Sequence, residues 1–172
     1  MNRLNKKAVS AVVATVLIIM ITVAAVGIIW AAIIPMVQNS LSKGTICNDA
    51  LSDITLVAEK GYTCINSTSN MGNISLQIKK GPNAKVQLVA IDALVFVGGD
   101  SYAYRINGTS SGSATSGIIG VLPTSNLEKT VYLWNSTLQN ATKVKIAPVV
   151  TVGNTEETCE GSSEVFLSPC SN

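Results

Sequence analysis

The chain has 172 residues, 47% of them hydrophobic and only 13% charged, with a net charge of +2. Its mean hydropathy of +0.39 is too high for an average soluble domain and points to a membrane phase. The weak net charge and the lack of a basic patch interleaved with aromatics argue against nucleic acid as a partner. The chain has no histidine, which removes Ser-His-Asp and Cys-His catalysis, imidazole metal ligation and the usual general base at neutral pH. Sites built on lysine or carboxylates stay open. No paired catalytic motif is present, however, so neither an enzyme nor a cofactor is expected.

The first element begins with Arg3, Lys6 and Lys7, and no charged residue occurs from Ala8 through Ser42. As a helix, the apolar core from Val9 to Val37 is roughly 45 Å long, at about 1.5 Å per residue. That exceeds the hydrocarbon layer of about 30 Å, and the h-region of a cleaved secretory signal is only about 7–15 residues. The basic cluster keeps the N-terminus cytoplasmic and places the chain beyond the apolar run outside the cell. Small residues are threaded through the run, and Ser10/Ala14 and Gly27/Ala31 have small-x-x-x-small spacing, which lets helix backbones approach closely. The hydroxyls of Thr15 and Thr22 can bond back to carbonyls one turn earlier. A generic single-pass anchor and a helix made to pack on its own copies both fit this composition. Pro35, near the end of the run, reads either as a hinge or as the end of the anchor.

The stretch KKAVSAVVATVLIIMITVAAVGIIW resembles the N-terminal segment of archaeal type IV pilins. The matching positions are Lys7, Ala8, Val9, Ser10, Val12, Val13, Ala14, Thr15, Val16, Leu17, Ile21, Thr22 and Val23. Ala11 stands where that family most often has proline, and the resemblance covers residues 3 to about 37. It implies a leader, residues 1–8, that a class III signal peptidase removes between Ala8 and Val9; a cut after Lys7 is the alternative. It further implies a polymerisation and transmembrane helix over 9–43 and, with an assembly platform and its ATPase as partners, a filament of self-associated copies. Val13 occupies the fifth mature position, where bacterial pilins carry glutamate. The function implied is that of a structural subunit of an adhesive, extracellular archaeal pilus. A permanently anchored surface binding protein, a minor pilin and an archaellum-type subunit are the alternatives.

After Val37 the segment QNSLSKG turns polar, and Gly44 is a candidate helix stop. Beyond it the pattern changes to short, β-rich runs: DITLVAE, YTCIN, NISLQIKK, KVQLVAIDALVFV, SYAYRI, GIIGVL, TVYLWN, KVKIAPVVTV and SEVFL. Turn residues separate them. The fold class expected is α+β, a long hydrophobic N-terminal helix followed by an extracellular β-sandwich head over 44–172. About 130 residues suffice for one such domain. TSSGSATSG (109–117) reads as a flexible exposed loop, and VGGD (97–100) as a hairpin turn.

Cys47, Cys64, Cys159 and Cys170 all lie beyond the apolar run, and none forms a C-x-x-C pair. Disulfides are expected and a metal site is not. Short loops close most easily, which favours Cys47–Cys64 and Cys159–Cys170. N-glycosylation sequons stand at Asn66, Asn73, Asn107, Asn135 and Asn140, where glycans could supply the solubility that charges do not. Glu156, Glu157, Glu160 and Glu164 read as a solvated tail, with calcium ligation as the alternative. Tyr102, Tyr104, Tyr132 and Trp134 are candidates to stack on a sugar or to fill the sandwich.

Overall fold

The computed structural model describes residues 4–58, 61–68, 70–160 and 163–171, with only the backbone of residues 4–10. The chain divides into two compact units, Met1–Ser42 and Lys43–Asn172. One helix, α1 (Leu4–Asp53), supplies the first unit and the opening turns of the second.

The helix does not stop at Gly44 as expected. It runs ten residues past the anticipated end at 43, because those residues have a face to bury. Ile46, Cys47, Ala50 and Leu51 recur at helical spacing and pack on the core of the second unit, with Ala50 fully buried. A mid-helix glycine costs about 1 kcal/mol. Burying one large aliphatic side chain returns about 1.5–3 kcal/mol, so packing overrides the stop signal. Pro35 also lies inside the helix rather than at its end. It withholds one backbone donor from the carbonyl of Ala31, and helix continues on both sides.

Among the described residues, twelve strands come after the helix: β1 (Ile54–Leu56), β2 (Cys64–Thr68), β3 (Met71–Lys80), β4 (Leu88–Val97), β5 (Asp100–Ile106), β6 (Ser111–Gly112), β7 (Ser116–Ile119), β8 (Leu127–Asn135), β9 (Ala141–Val152), β10 (Thr155–Thr158), β11 (Glu164–Phe166) and β12 (Ser168–Pro169). They form two sheets. The seven-stranded sheet runs β12-β2-β3-β8-β7-β6, with β1 paired to β3; the five-stranded sheet runs β10-β9-β4-β5, with β11 paired to β9. Pairing between these strands is antiparallel except for β12 on β2.

Alternation of apolar and polar residues gives each sheet one dry face. Ile74, Leu76 and Ile78 of β3 and Val131 and Leu133 of β8 face Ile91, Ala93 and Val95 of β4 and Val144 and Ile146 of β9 in one core. The α+β class, a long apolar helix followed by a β-sandwich, is therefore the observed fold. The VGGD segment is the expected hairpin turn between β4 and β5. Gly98 and Gly99 both have positive φ (59° and 108°), which L side chains rarely adopt.

The loop expected at 109–117 is instead a small hairpin. Gly112 of β6 pairs with Gly117 of β7. A Cβ on Gly117 would overlap the Trp134 indole, whose Nε1 donates to the Ser113 carbonyl (2.9 Å). Small residues make room here for an aromatic ring to lie close to the backbone, so the low-complexity composition serves packing.

Helix and sheet meet without a linker, since α1 ends at Asp53 and β1 begins at Ile54. Asp53 is the rivet. Its Oδ2 accepts from Lys80 Nζ (3.0 Å) and its Oδ1 from the Asn83 amide (3.0 Å), while its carbonyl accepts from the Gly81 amide (2.7 Å). Lys80 Nζ also donates to the Asn83 carbonyl (3.1 Å). The two side chains are only 5% and 6% exposed, and a Cβ on Gly81 would overlap the carboxylate. Lys80→Met should strand a buried carboxylate and lower stability by about 3–5 kcal/mol. Denaturant unfolding of the variant measures that loss directly.

Candidate functional site

The candidate functional surface is the exposed part of the helix. From Ala11 to Thr45 every side chain is exposed except that of the partly covered Ile34. Exposure of the large apolar groups runs from 46% at Val16 to 71% at Met36, including Trp30 at 67%. The segment is long and apolar enough to cross a membrane. Three of its hydroxyls are satisfied within the helix. Thr15 Oγ1 donates to the Val12 carbonyl (2.8 Å), Thr22 Oγ1 to Ile19 (2.9 Å) and Ser40 Oγ to Met36 (3.0 Å). Back-bonding of this kind lets hydroxyls enter an apolar phase without orphaned donors.

The helix has no polar side between Ala11 and Val37. At about 100° per residue, Ala11, Thr15, Thr22 and Ala25 fall on one side, and Gly27 and Ala31 on the opposite one. Close approach is therefore available on two sides, not along a single seam. A Cβ on Gly27 would meet nothing within 4 Å. Arg3 lies outside the described residues, as do the side chains of Lys6, Lys7, Ala8, Val9 and Ser10, so the expected cleavage site has only a helical backbone in view.

The head carries both disulfides, but not in the expected pairing. Cys47 bonds Cys159 and Cys64 bonds Cys170, with Cα–Cα distances of 5.2 and 5.0 Å and sequence separations of 112 and 106. Short-loop reasoning weighs only the entropy of the unfolded chain. The fold instead brings the late chain back to its beginning. β12 pairs with β2, the Cys170 amide donates to the Ile65 carbonyl (3.0 Å), and the Cys159 amide to Pro148 (2.9 Å). A Lys43–Glu157 ion pair lies near the first disulfide in sequence.

The sequons differ in their surroundings. Asn66 and Asn73 are exposed and face one another across β2 and β3. Asn107 is exposed, with its Oδ1 accepting from the Thr109 amide (3.2 Å) and hydroxyl (2.5 Å). Asn140 is exposed at a turn. Asn135 is half-buried and committed, since its Oδ1 caps a short helical turn at the Thr137 amide (3.1 Å) and its Nδ2 donates to the Tyr104 hydroxyl (3.1 Å). The acidic tail does not converge on a metal site. Glu156, Glu157 and Glu164 turn to Arg105, Lys43 and Lys143, and no metal-holding cluster occurs among the described residues.

Sequence reasoning missed the contribution of β10, β12 and the helix extension to this anchorage. The cysteine positions were the available signal, but their partners depend on topology. Replacing Cys64 and Cys170 together by serine should cost about 3–4 kcal/mol, the chain-entropy value for the ring of roughly 30 residues that this bond closes while Cys47–Cys159 stays intact. Thermal unfolding of the double variant measures the loss, and non-reducing peptide mapping should recover residue 47 linked to residue 159.

No known protein family, curated protein or solved structure matches this chain.

Proposed function

We propose that the chain is a structural subunit of an extracellular archaeal type IV pilus-like filament used for surface attachment. The observation that carries this reading is the helix, which is apolar and exposed on all sides while its head is compact and stapled. A helix without a polar face needs an apolar surround on every side. Lipid supplies that before assembly, and copies of the same helix supply it afterwards. Small residues on two sides suit packing among several neighbours. The resemblance of residues 3 to about 37 to archaeal pilins adds the processing step. Arg3, Lys6 and Lys7 cannot enter an apolar filament core, because burying unpaired charge is very costly. Cleavage between Ala8 and Val9 by a class III signal peptidase removes them. The helix is then free to exchange lipid for its own kind, driven by an assembly platform and its ATPase. The head lies outside the cell, where disulfides persist. Glycans on the exposed sequons Asn107 and Asn140, which lie outside the main ladders, would keep it soluble.

The second reading is a single-pass anchored surface protein, favoured by the span-length apolar segment alone. The purified chain distinguishes the two. A mature N-terminus at Val9 and filaments in the sheared surface fraction are expected, whereas retention of Arg3 to Lys7 supports the anchor. Gly27→Glu is the sharper test. The added side chain meets nothing within its own chain, and glutamate is a better helix former than glycine. The variant should therefore fold and lose assembly completely. Intact filaments of Gly27→Glu subunits, seen by electron microscopy, would refute a core built from this helix.

A further inference from the structure

The solvent face of the seven-stranded sheet carries a feature that assembly through the helix does not use. Two cross-strand rows lie side by side there. One runs Asn66, Asn73, Trp134, Gly117; the other runs Cys64, Ser75, Tyr132, Ile119. These positions alternate with the core residues Ile74, Leu133 and Val131, so their side chains leave the opposite face of the sheet. Between them lies a groove of about 420 Å³, within the usual range of small-molecule sites.

The groove has a specific chemical character. Tyr132 and Trp134 stand two residues apart on β8, and Tyr132 is 53% exposed. The indole is held in place by its bond to Ser113 and by the bare backbone of Gly117 beneath it. Next to these rings stand two carboxamides. Asn66 and Asn73 make no side-chain hydrogen bond among the described residues, and no charged residue lines the groove there.

Each part narrows the ligand. A carboxamide offers two donors and one acceptor oxygen, which matches a partner whose hydroxyls both give and take hydrogen bonds. An apolar peptide would cover the amides and leave them unpaired, at the desolvation cost of each. An anionic or cationic ligand would meet no countercharge. A fixed aromatic surface beside free amides suits a ring with an apolar C–H face and a hydroxylated rim. We propose that this groove binds a neutral oligosaccharide presented by another surface. Tyr132 and Trp134 stack on the sugar ring, and Asn66 and Asn73 bond its hydroxyls. This assignment concerns the head alone and does not depend on whether the chain polymerises.

The test uses the full chain carrying Trp30→Phe in a detergent without a sugar headgroup, which leaves Trp134 as its single tryptophan. The protein is first applied to an array of neutral and anionic oligosaccharides of glucose, galactose and mannose. The best binder is then titrated against Trp134 emission. A saturable response to a neutral oligosaccharide is expected. Tyr132→Ala should weaken it about tenfold, the size of one aromatic stacking contact, while Tyr132→Phe retains it. Asn73→Ala should weaken it without altering the near-ultraviolet dichroism of the fold. Silence across the array, preference for anionic glycans, or undiminished binding by Tyr132→Ala would overturn the assignment. So would mass spectrometry of protein from its native cells that finds a glycan on Asn66 or Asn73, because the groove would then hold the chain's own sugar.

Discussion

An apolar helix with no polar face imposes the constraint on which the rest depends. From Val12 to Leu41 the chain presents large aliphatic groups in every direction. Each costs about 1.5–3 kcal/mol in water relative to burial. The core of the second unit is built from its two sheets and the last turns of the helix. Such a helix is long and apolar enough to cross a membrane. The hydroxyls of Thr15 and Thr22 fold back on carbonyls of the helix itself, which lowers their demand for water. In the proposed reading, membrane residence and assembly are two answers to one physical demand, and the processing step moves the chain from one to the other.

The head answers a different demand, which is to hold the end of such a helix. It does so by taking the helix end into its core. Ala50 and its neighbours supply apolar contact, and Asp53 supplies the polar lock. A buried ion pair is weak support for stability by itself, since desolvation offsets its attraction. Here its geometry serves position. The carboxylate reads Lys80, Asn83 and the close backbone of Gly81 at once, which fixes where β3 turns relative to the last helical turn.

Much of this was legible in the sequence. Each of the nine apolar runs contains a strand, because alternation of buried and exposed positions is a local signal that β3, β4 and β8 carry strongly. Three misreadings share one cause. Gly44 looks like a stop, 109–117 looks like a loop, and the cysteines look like neighbours closing short rings. Each inference weighs local propensity, and each is overridden by contacts distant in sequence: the core under Ile46 and Ala50, the indole of Trp134 over Gly117, and β12 returning to β2. The groove was legible only as residue types. Tyr132 and Trp134 were visible as candidates to stack on sugar, but the register that sets Asn73 beside Trp134 was not. Tyr104, another aromatic candidate, packs against the core and bonds Asn135.

The crossed pairing of the cysteines has a mechanical consequence. The first joins the third and the second joins the fourth, so the two covalent rings interlock along the chain. Tension entering through the helix reaches Cys47 before it reaches any strand. It passes directly to Cys159, bypassing nearly all of the sandwich. Cys64 and Cys170 close the remaining route through β2. A pull between the helix and Cys170 therefore cannot draw the sheets out strand by strand. Any load entering through the helix would therefore pass to Cys170 through covalent bonds and short stretches of chain, with most of the hydrogen-bonded ladders outside its path.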